Sequence, residues 1–168
     1  RRAGRGRPGR RLGPALLALD GSVLVVGPAG ERRIAATDFF VDAYTTALAP
    51  DEVLLDATFP VPGPRSGCAH LKFEVRAGDF AVANCSVAVT LDEADHCASI
   101  GIGLGGVGLR PERVAAAEGL LRGQASTPAL VAEAARAVTQ CVESFDDVPL
   151  SAASIAQGEL RPRSFSRA

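Results

Sequence analysis

The 168-residue chain contains no methionine and opens on Arg1. An intact reading frame begins with methionine unless processing removes it, so the expectation is a fragment or a mis-set start. No apolar run approaches the roughly 18 residues that cross a bilayer as a helix, which excludes a helical membrane span. The arginine-rich start lacks the apolar segment and small-residue cleavage site of a secretory signal. Four cysteines, at 68, 85, 97 and 141, include no CxxC pair. That pattern indicates reduced thiols in a cytoplasmic protein and argues against a disulfide framework. Lysine is nearly missing too: Lys72 stands alone beside seventeen arginines.

What is present is globular in character, with 47% hydrophobic residues. The length suits one ordinary domain, or a small domain with a piece of another. The net charge of −1 conceals an asymmetry: residues 1–11 carry +6, residues 158–168 carry +2, and the body between them carries −9. An acidic body argues against a nucleic-acid binder. The leader RRAGRGRPGRR has no aromatic residue and no helical period, and reads as a disordered leader or as sequence outside the fold.

Along the body, SVLVVGPAGERRIA reads as a hairpin, with Val23 to Val26 and Arg32 to Ile34 as strands around Gly27-Pro28-Ala29-Gly30. Thr37 or Asp38 is placed to cap a short turn that buries Phe39 and Phe40. DEVLLDATF reads as a strand whose alternate residues Val53, Leu55, Ala57 and Phe59 share a face. Pro60, Pro62, Gly63 and Pro64 end it and mark a domain boundary. Three strands follow, near 68–76, 81–91 and 97–107, with too little sequence between them for a crossover helix, so the spacing predicts an antiparallel meander. Two helices come next. The first is expected to open on Pro111 with Glu112 in its first turn, and carries a Val114, Ala117, Leu121 stripe. The second is expected to be capped by Thr127 with Pro128 at its first position; its stripe runs Leu130, Ala134, Val138, Cys141, Phe145. A three-stranded antiparallel sheet packed with helices, an α+β layer, is the predicted fold class.

Several motifs invite chemistry. GIGLGGVG places Gly103, Gly105 and Gly108 at the spacing of a dinucleotide fingerprint. The helix after it leads into another helix, with no second parallel strand, so close packing against a smooth sheet face is the better reading. Cys68, His70, His96 and Cys97 match no zinc spacing, and neighbours such as 96 and 97 point to opposite faces of a strand. The carboxylate pairs Asp51/Glu52, Asp92/Glu93 and Asp146/Asp147 fall in turns, loops or strand ends, where solvated charge is the default. There is no nucleophile signature beside either histidine. The chain presents no self-contained catalytic constellation.

Three segments in order, FFVDAYTTALAPDEVLLDATFP, LKFEVRAGDFAVANCSVAVTLD and IGLGGVGLRPERVAAAEGLLRG, resemble one family: the FAD-binding medium subunit of molybdenum hydroxylases, the group of carbon monoxide dehydrogenase and xanthine dehydrogenase. The resemblance runs from about 14 to 153. It implies that residues 14–60 are the end of an α+β FAD-binding domain and 67–153 the separate C-terminal α+β domain, with 1–13 a basic leader and 154–168 an atypical tail. It further implies an electron-transferring oxidoreductase component that works with an iron–sulfur small subunit and a molybdopterin large subunit. By the same resemblance Leu54 and Lys72 match the family's flavin contacts, and no catalytic or metal residue is implied. The family's glycine-rich phosphate-binding loops have no counterpart here, so this truncated chain is expected to bind FAD weakly or not at all alone.

The role implied for Lys72 is electrostatic. Reduced flavin carries negative charge at its pyrimidine edge, and a nearby ammonium stabilises it. Lysine offers a compact point charge where arginine would impose a planar fork. The competing reading is a surface lysine paired with Glu74 or Asp79 on a charged strand edge. A second function class also stands: a non-catalytic α+β module that only docks partner subunits.

Overall fold

The structure is a computed structural model that describes residues 12–76, 78 and 80–140. The basic leader through residue 11, Asp79, Cys141, Phe145, the Asp146/Asp147 pair and the tail lie outside the described residues.

The opening apolar segment forms helix α1 (Leu12–Ala18). It ends in a motif typical of helix C-termini: Asp20 takes a left-handed conformation (φ 51°), while Gly21 N–H donates to the Leu16 carbonyl at 2.8 Å and Asp20 N–H to Leu17 at 3.4 Å. Strands β1 (Ser22–Gly27) and β2 (Gly30–Ala35) then form the expected hairpin, with Gly27 opposite Gly30. Gly30 has φ 108°, which suits a residue without a Cβ.

Helix α2 (Ala36–Phe39) starts directly off β2, and its N-cap is Ala35 with no side-chain cap bond. The expected cap at Thr37 or Asp38 is therefore wrong. The Ala36 N–H is instead satisfied by the Gly21 carbonyl at 2.9 Å, so this helix end needs no cap from either side chain. Phe39 and Phe40 are buried, as expected, with ring centres 5.1 Å apart in edge contact. A short hairpin that the sequence did not suggest, β3 (Phe40–Asp42) with β4 (Thr45–Thr46), follows.

Strand β5 (Val53–Thr58) pairs with β1 to complete a three-stranded sheet of order β2-β1-β5. Its expected face is corrected by a bulge. Val25 opposes Leu54 and Leu24 opposes Asp56, leaving Leu55 as the extra residue. The alternation shifts by one there, so Leu54 and Ala57 pack on the core while Val53 and Leu55 are exposed. Leu16, Leu17, Val23, Val25, Phe39 and Phe40 lead this first core.

Beyond the proline-rich segment lies the antiparallel meander β6 (Ser66–Phe73), β7 (Ala83–Leu91) and β8 (Cys97–Gly105). A fourth, two-residue strand, β9 (Glu112–Arg113), adds to β8 and gives the order β6-β7-β8-β9. Pro111 thus precedes a strand that Glu112 begins, instead of opening a helix, and α3 (Ala115–Leu121) begins later. The strand is held by Val114 N–H donating to Ile102 at 2.9 Å, and Arg113 is held by its guanidinium. Arg113 Nε donates to Glu118 Oε1 at 2.7 Å, Nη1 to Asp20 and Leu17, and Nη2 to Ile100. Helix α4 (Pro128–Gln140) has the expected cap, Leu130 N–H donating to Thr127 Oγ1 at 3.2 Å.

The alternation on β8 divides the layers. Ile100, Ile102 and Leu104 face α3 and α4 and form the second core with Val114, Ala117, Leu121 and Ala134. Gly101 and Gly103 face α1 so closely that a Cβ would lie 2.8 Å from the Ala18 carbonyl carbon and 2.9 Å from that of Pro14. Helix α1 is thereby shared: Pro14 and Ala18 lie on the second sheet, Leu16 and Leu17 in the first core.

Candidate functional site

Strand β6 pairs with β7 in a register that sets Lys72 opposite Asn84 and His70 opposite Ser86. Ser86 in turn opposes Gly103, whose missing side chain lies under α1. With a side-chain period of two, Lys72, His70, Asn84 and Ser86 share the α1 side of the sheet. Leu71, Cys85 and Val87 point the other way, toward α3 and α4.

The strip is enclosed at Lys72, Asn84 and Ser86, whereas His70 is exposed. The Lys72 side chain is 12% exposed and its ammonium pairs with Glu74, which is 27% exposed. His70 Nδ1 and Ser86 Oγ are hydrogen-bonded at 2.8 Å. Asn84 is 4% exposed, and among the described residues neither Oδ1 nor Nδ2 has a hydrogen-bond partner. A buried amide without a partner costs stability. Sequence reasoning singled out Lys72 and passed over Asn84 and Ser86. The strand alternation on both sides of the 74–82 turn was the signal that could have placed them opposite one another.

Leu54 lies elsewhere. It sits on β5 in the first sheet, opposite Val25, and packs against the first core. Lys72 is in the second sheet, so no shared element brings the two expected flavin contacts together. The pairing of Lys72 with Glu74 is one of the two ion pairs expected for a lysine on a charged strand edge.

The other candidates resolve individually. Gly101 and Gly103 of GIGLGGVG carry α1 on their surface, and the strand after them is antiparallel, so these two have no backbone free to approach a pyrophosphate. Cys68 is exposed and Cys97 buried, while His96 forms an isolated bridge with Ala125 and has Nδ1 3.9 Å from Asp92 Oδ2. Among the described residues no three His, Cys, Asp or Glu side chains converge as a metal site. Glu52, from one of the carboxylate pairs, is held by Arg32 through two hydrogen bonds of 2.7 Å. These bonds, with a third from Ala49 N–H, pull its carboxyl down to about 2. It is an ion-pair member, not a proton carrier near neutral pH.

An apolar groove of about 670 Å³ lies on the opposite face of the sheet, between Phe73, Val87, Ile102, Val131 and Val138. The Cys85 thiol on that face is pushed up by burial. No helix among the described residues is long and apolar enough to cross a membrane.

The fit to FAD is therefore partial. Lys72 carries a cation of the kind that would suit an anionic ring edge, here ion-paired with Glu74, and the Asn84 amide has no hydrogen-bond partner among the described residues. Among the described glycines discussed above, none forms a free phosphate cradle.

Comparison with known proteins accounts for both sheets. The sequence pattern described as the CO dehydrogenase flavoprotein C-terminal domain matches residues 70–155, and that of the FAD binding domain in molybdopterin dehydrogenase matches residues 6–62. The nicotine 6-hydroxylase medium subunit of Paenarthrobacter nicotinovorans is 36% identical over 138 residues, covering 82% of this chain and 47% of that protein. The carbon monoxide dehydrogenase medium chain of Afipia carboxidovorans is 34% identical over 109 residues, covering 65% of this chain and 38% of that one. The structure of carbon monoxide dehydrogenase from Hydrogenophaga pseudoflava superposes with a TM-score of 0.82 at 30% identity, over 86% of this chain and 50% of its own. The chain spans about half the length of the curated relatives it matches. It belongs to the FAD-binding medium-subunit family of molybdenum hydroxylases, the flavoproteins that include the carbon monoxide dehydrogenase medium chains.

Proposed function

We propose that this chain works within the FAD-carrying medium subunit of a molybdenum hydroxylase, in which electrons pass from iron–sulfur clusters through FAD to an acceptor. The observation that supports this best is the likeness to the Hydrogenophaga enzyme over 86% of the chain, which spans the matched regions of both sheets. Its partners in this reading are an iron–sulfur small subunit and a molybdopterin large subunit.

In that role FAD supplies reversible electron storage, and this chain supplies electrostatics and packing. The Lys72 ammonium, ion-paired with Glu74 on the second sheet, would lower the energy of an anionic flavin edge placed near it. Leu54 provides an apolar wall from the first core. Most of the affinity for the dinucleotide comes from phosphate contacts that the described residues do not offer.

The test is a fluorescence titration of FAD with the purified chain, followed by pull-down with the iron–sulfur and molybdopterin subunits of a related hydroxylase. The expected result is weak, non-saturating quenching together with capture of partner subunits. Saturation at low micromolar FAD would overturn the assignment of affinity to absent phosphate loops. Capture of partners without any flavin response would favour the pure docking module.

A further inference from the structure

Leu54 and Lys72 can serve one flavin only if the sheets that carry them keep a fixed relation, a step that rests on the flavin reading above. Among the described strands none pairs across the two sheets. The link between them is exposed at every residue from 58 to 64, with Val61 at 93%. Two units joined in this way move relative to one another unless an interface prevents it.

Helix α1, seated on Gly101 and Gly103, provides one such contact. Polar contacts reinforce it from a single short stretch, Arg110 to Arg113. Arg113 Nε is fixed by Glu118 Oε1 at 2.7 Å. Its Nη1 donates to the Asp20 carboxylate and, at 3.4 Å, to the Leu17 carbonyl, while Nη2 donates to the Ile100 carbonyl at 3.4 Å. A guanidinium is planar with five donors, so one side chain bonds both units at once. Arg110 makes a second tie, its Nη1 donating to the Phe40 carbonyl at 2.8 Å. Pro111, between the two arginines, is buried against α1, where a Cβ on Gly13 would stand 2.6 Å from its Cγ. Asp20, Leu17 and Phe40 lie in the region matched as FAD binding domain, and both arginines lie in the region matched as flavoprotein C-terminal domain.

We infer that Arg110 and Arg113 are positioning residues: they reach from the second sheet to the first unit and hold the Leu54 and Lys72 sheets at one spacing for the flavin. Two of their acceptors, the Leu17 and Phe40 carbonyls, are backbone and have no rotamer to change. The hold is therefore directional as well as attractive.

The exposed link makes this measurable without any cofactor. A protease recognition sequence inserted after Gly63 lets the folded full chain be cut once, and the dissociation constant of the two pieces is then measured. The parent pieces are expected to stay together. Asp20→Gly removes the carboxylate and suits the left-handed conformation there (φ 51°). Arg110→Ala removes the tie to Phe40. Both side chains are substantially exposed, so neither change deletes core packing. Each should weaken association roughly fivefold, the size of one hydrogen bond's net effect, and the pair about twenty-five-fold. Arg33→Ala, which breaks bonds to Ser22 and Thr58 inside the first sheet, should leave association unchanged. Parent pieces that part on cutting, or association unmoved by both junction substitutions, would overturn the inference. An equal loss in Arg33→Ala would do the same.

A second measurement connects the hold to the flavin. In an FAD-loaded complex with partner subunits, Lys72→Met should shift the midpoint potential. In the Asp20→Gly, Arg110→Ala background that shift should shrink by about half or more, because the effect of a charge falls with distance. A shift of undiminished size would overturn the positioning role. No shift in either background counts against the flavin reading, and the association of the cut pieces then decides the two arginines alone.

Discussion

Gly101 on β8 lies against the carbonyl of Ala18 on α1 with no room for a side chain: a Cβ would stand 2.8 Å from the carbonyl carbon and 3.0 Å from Cα. The obstruction is backbone, which cannot swing away as a flexible side chain could. Gly101→Ala should therefore push α1 off the second sheet and destabilise the chain by about 1–3 kcal/mol, the usual cost of overpacking. Chemical denaturation with urea checks this, and an unchanged midpoint would mean that α1 does not seat there.

Glu118 provides a second test of the same junction. Its side chain is 5% exposed and accepts from Ile102 N–H at 2.8 Å and Arg113 Nε at 2.7 Å. Glu118→Ala would leave a buried backbone donor and a guanidinium without their partner. The expected loss is about 3–5 kcal/mol, characteristic of breaking a buried pair from one side. Glu118→Gln, which preserves shape and one acceptor, should lose less in the same denaturation experiment.

The Arg32–Glu52 pair predicts a pH dependence. The Arg32 hydrogen bonds, reinforced by Ala49 N–H, lower the Glu52 carboxyl from 4.5 to about 2 in the folded chain. A depressed folded value means the ionised form favours folding. The contribution is thus complete above the unfolded value and is lost as pH falls from 4.5 toward 2. The melting midpoints of the parent and Glu52→Gln should differ most near neutral pH and converge across that acidic window. A gap that stays constant down to the acid limit would show that the carboxylate's charge is not what matters.

Lys72→Met tests the electrostatic role in an FAD-loaded complex with partner subunits. On the proposed placement of Lys72 beside the flavin, removing its cation destabilises the anionic reduced form, so the midpoint potential should fall by tens of millivolts. A spectroelectrochemical titration reads this directly. Lys72→Arg should recover part of the shift, because it restores charge but not the compact geometry.

Much of this architecture was legible in the sequence because it rests on local chemistry. Alternating apolar residues and turn residues marked β1, β2, β7 and β8, and Thr127-Pro128 marked the start of α4. The small residues of GIGLGGV were read as a smooth face for close packing, although the helix that occupies it, α1, is some 85 residues earlier in the chain. Lys72 stood out by composition, and the family resemblance carried over to both sheets.

Other features needed the third dimension. The bulge at Leu55 reversed the face of β5, since one inserted residue flips every later side chain and only the register with β1 reveals it. Arg113 lay in a predicted helix until its partners Glu118, Asp20 and Ile100, drawn from three separate elements, held it in a strand. Asn84 reads in sequence as an ordinary residue of a half-buried strand. Its burial, its lack of a hydrogen-bond partner among the described residues, and the register that sets it opposite Lys72 are visible only in the fold. Periodicity and turn chemistry act over a few residues and can be read directly from the sequence. Which polar groups are enclosed together depends on strands and helices meeting across the whole chain, and only the folded structure decides it.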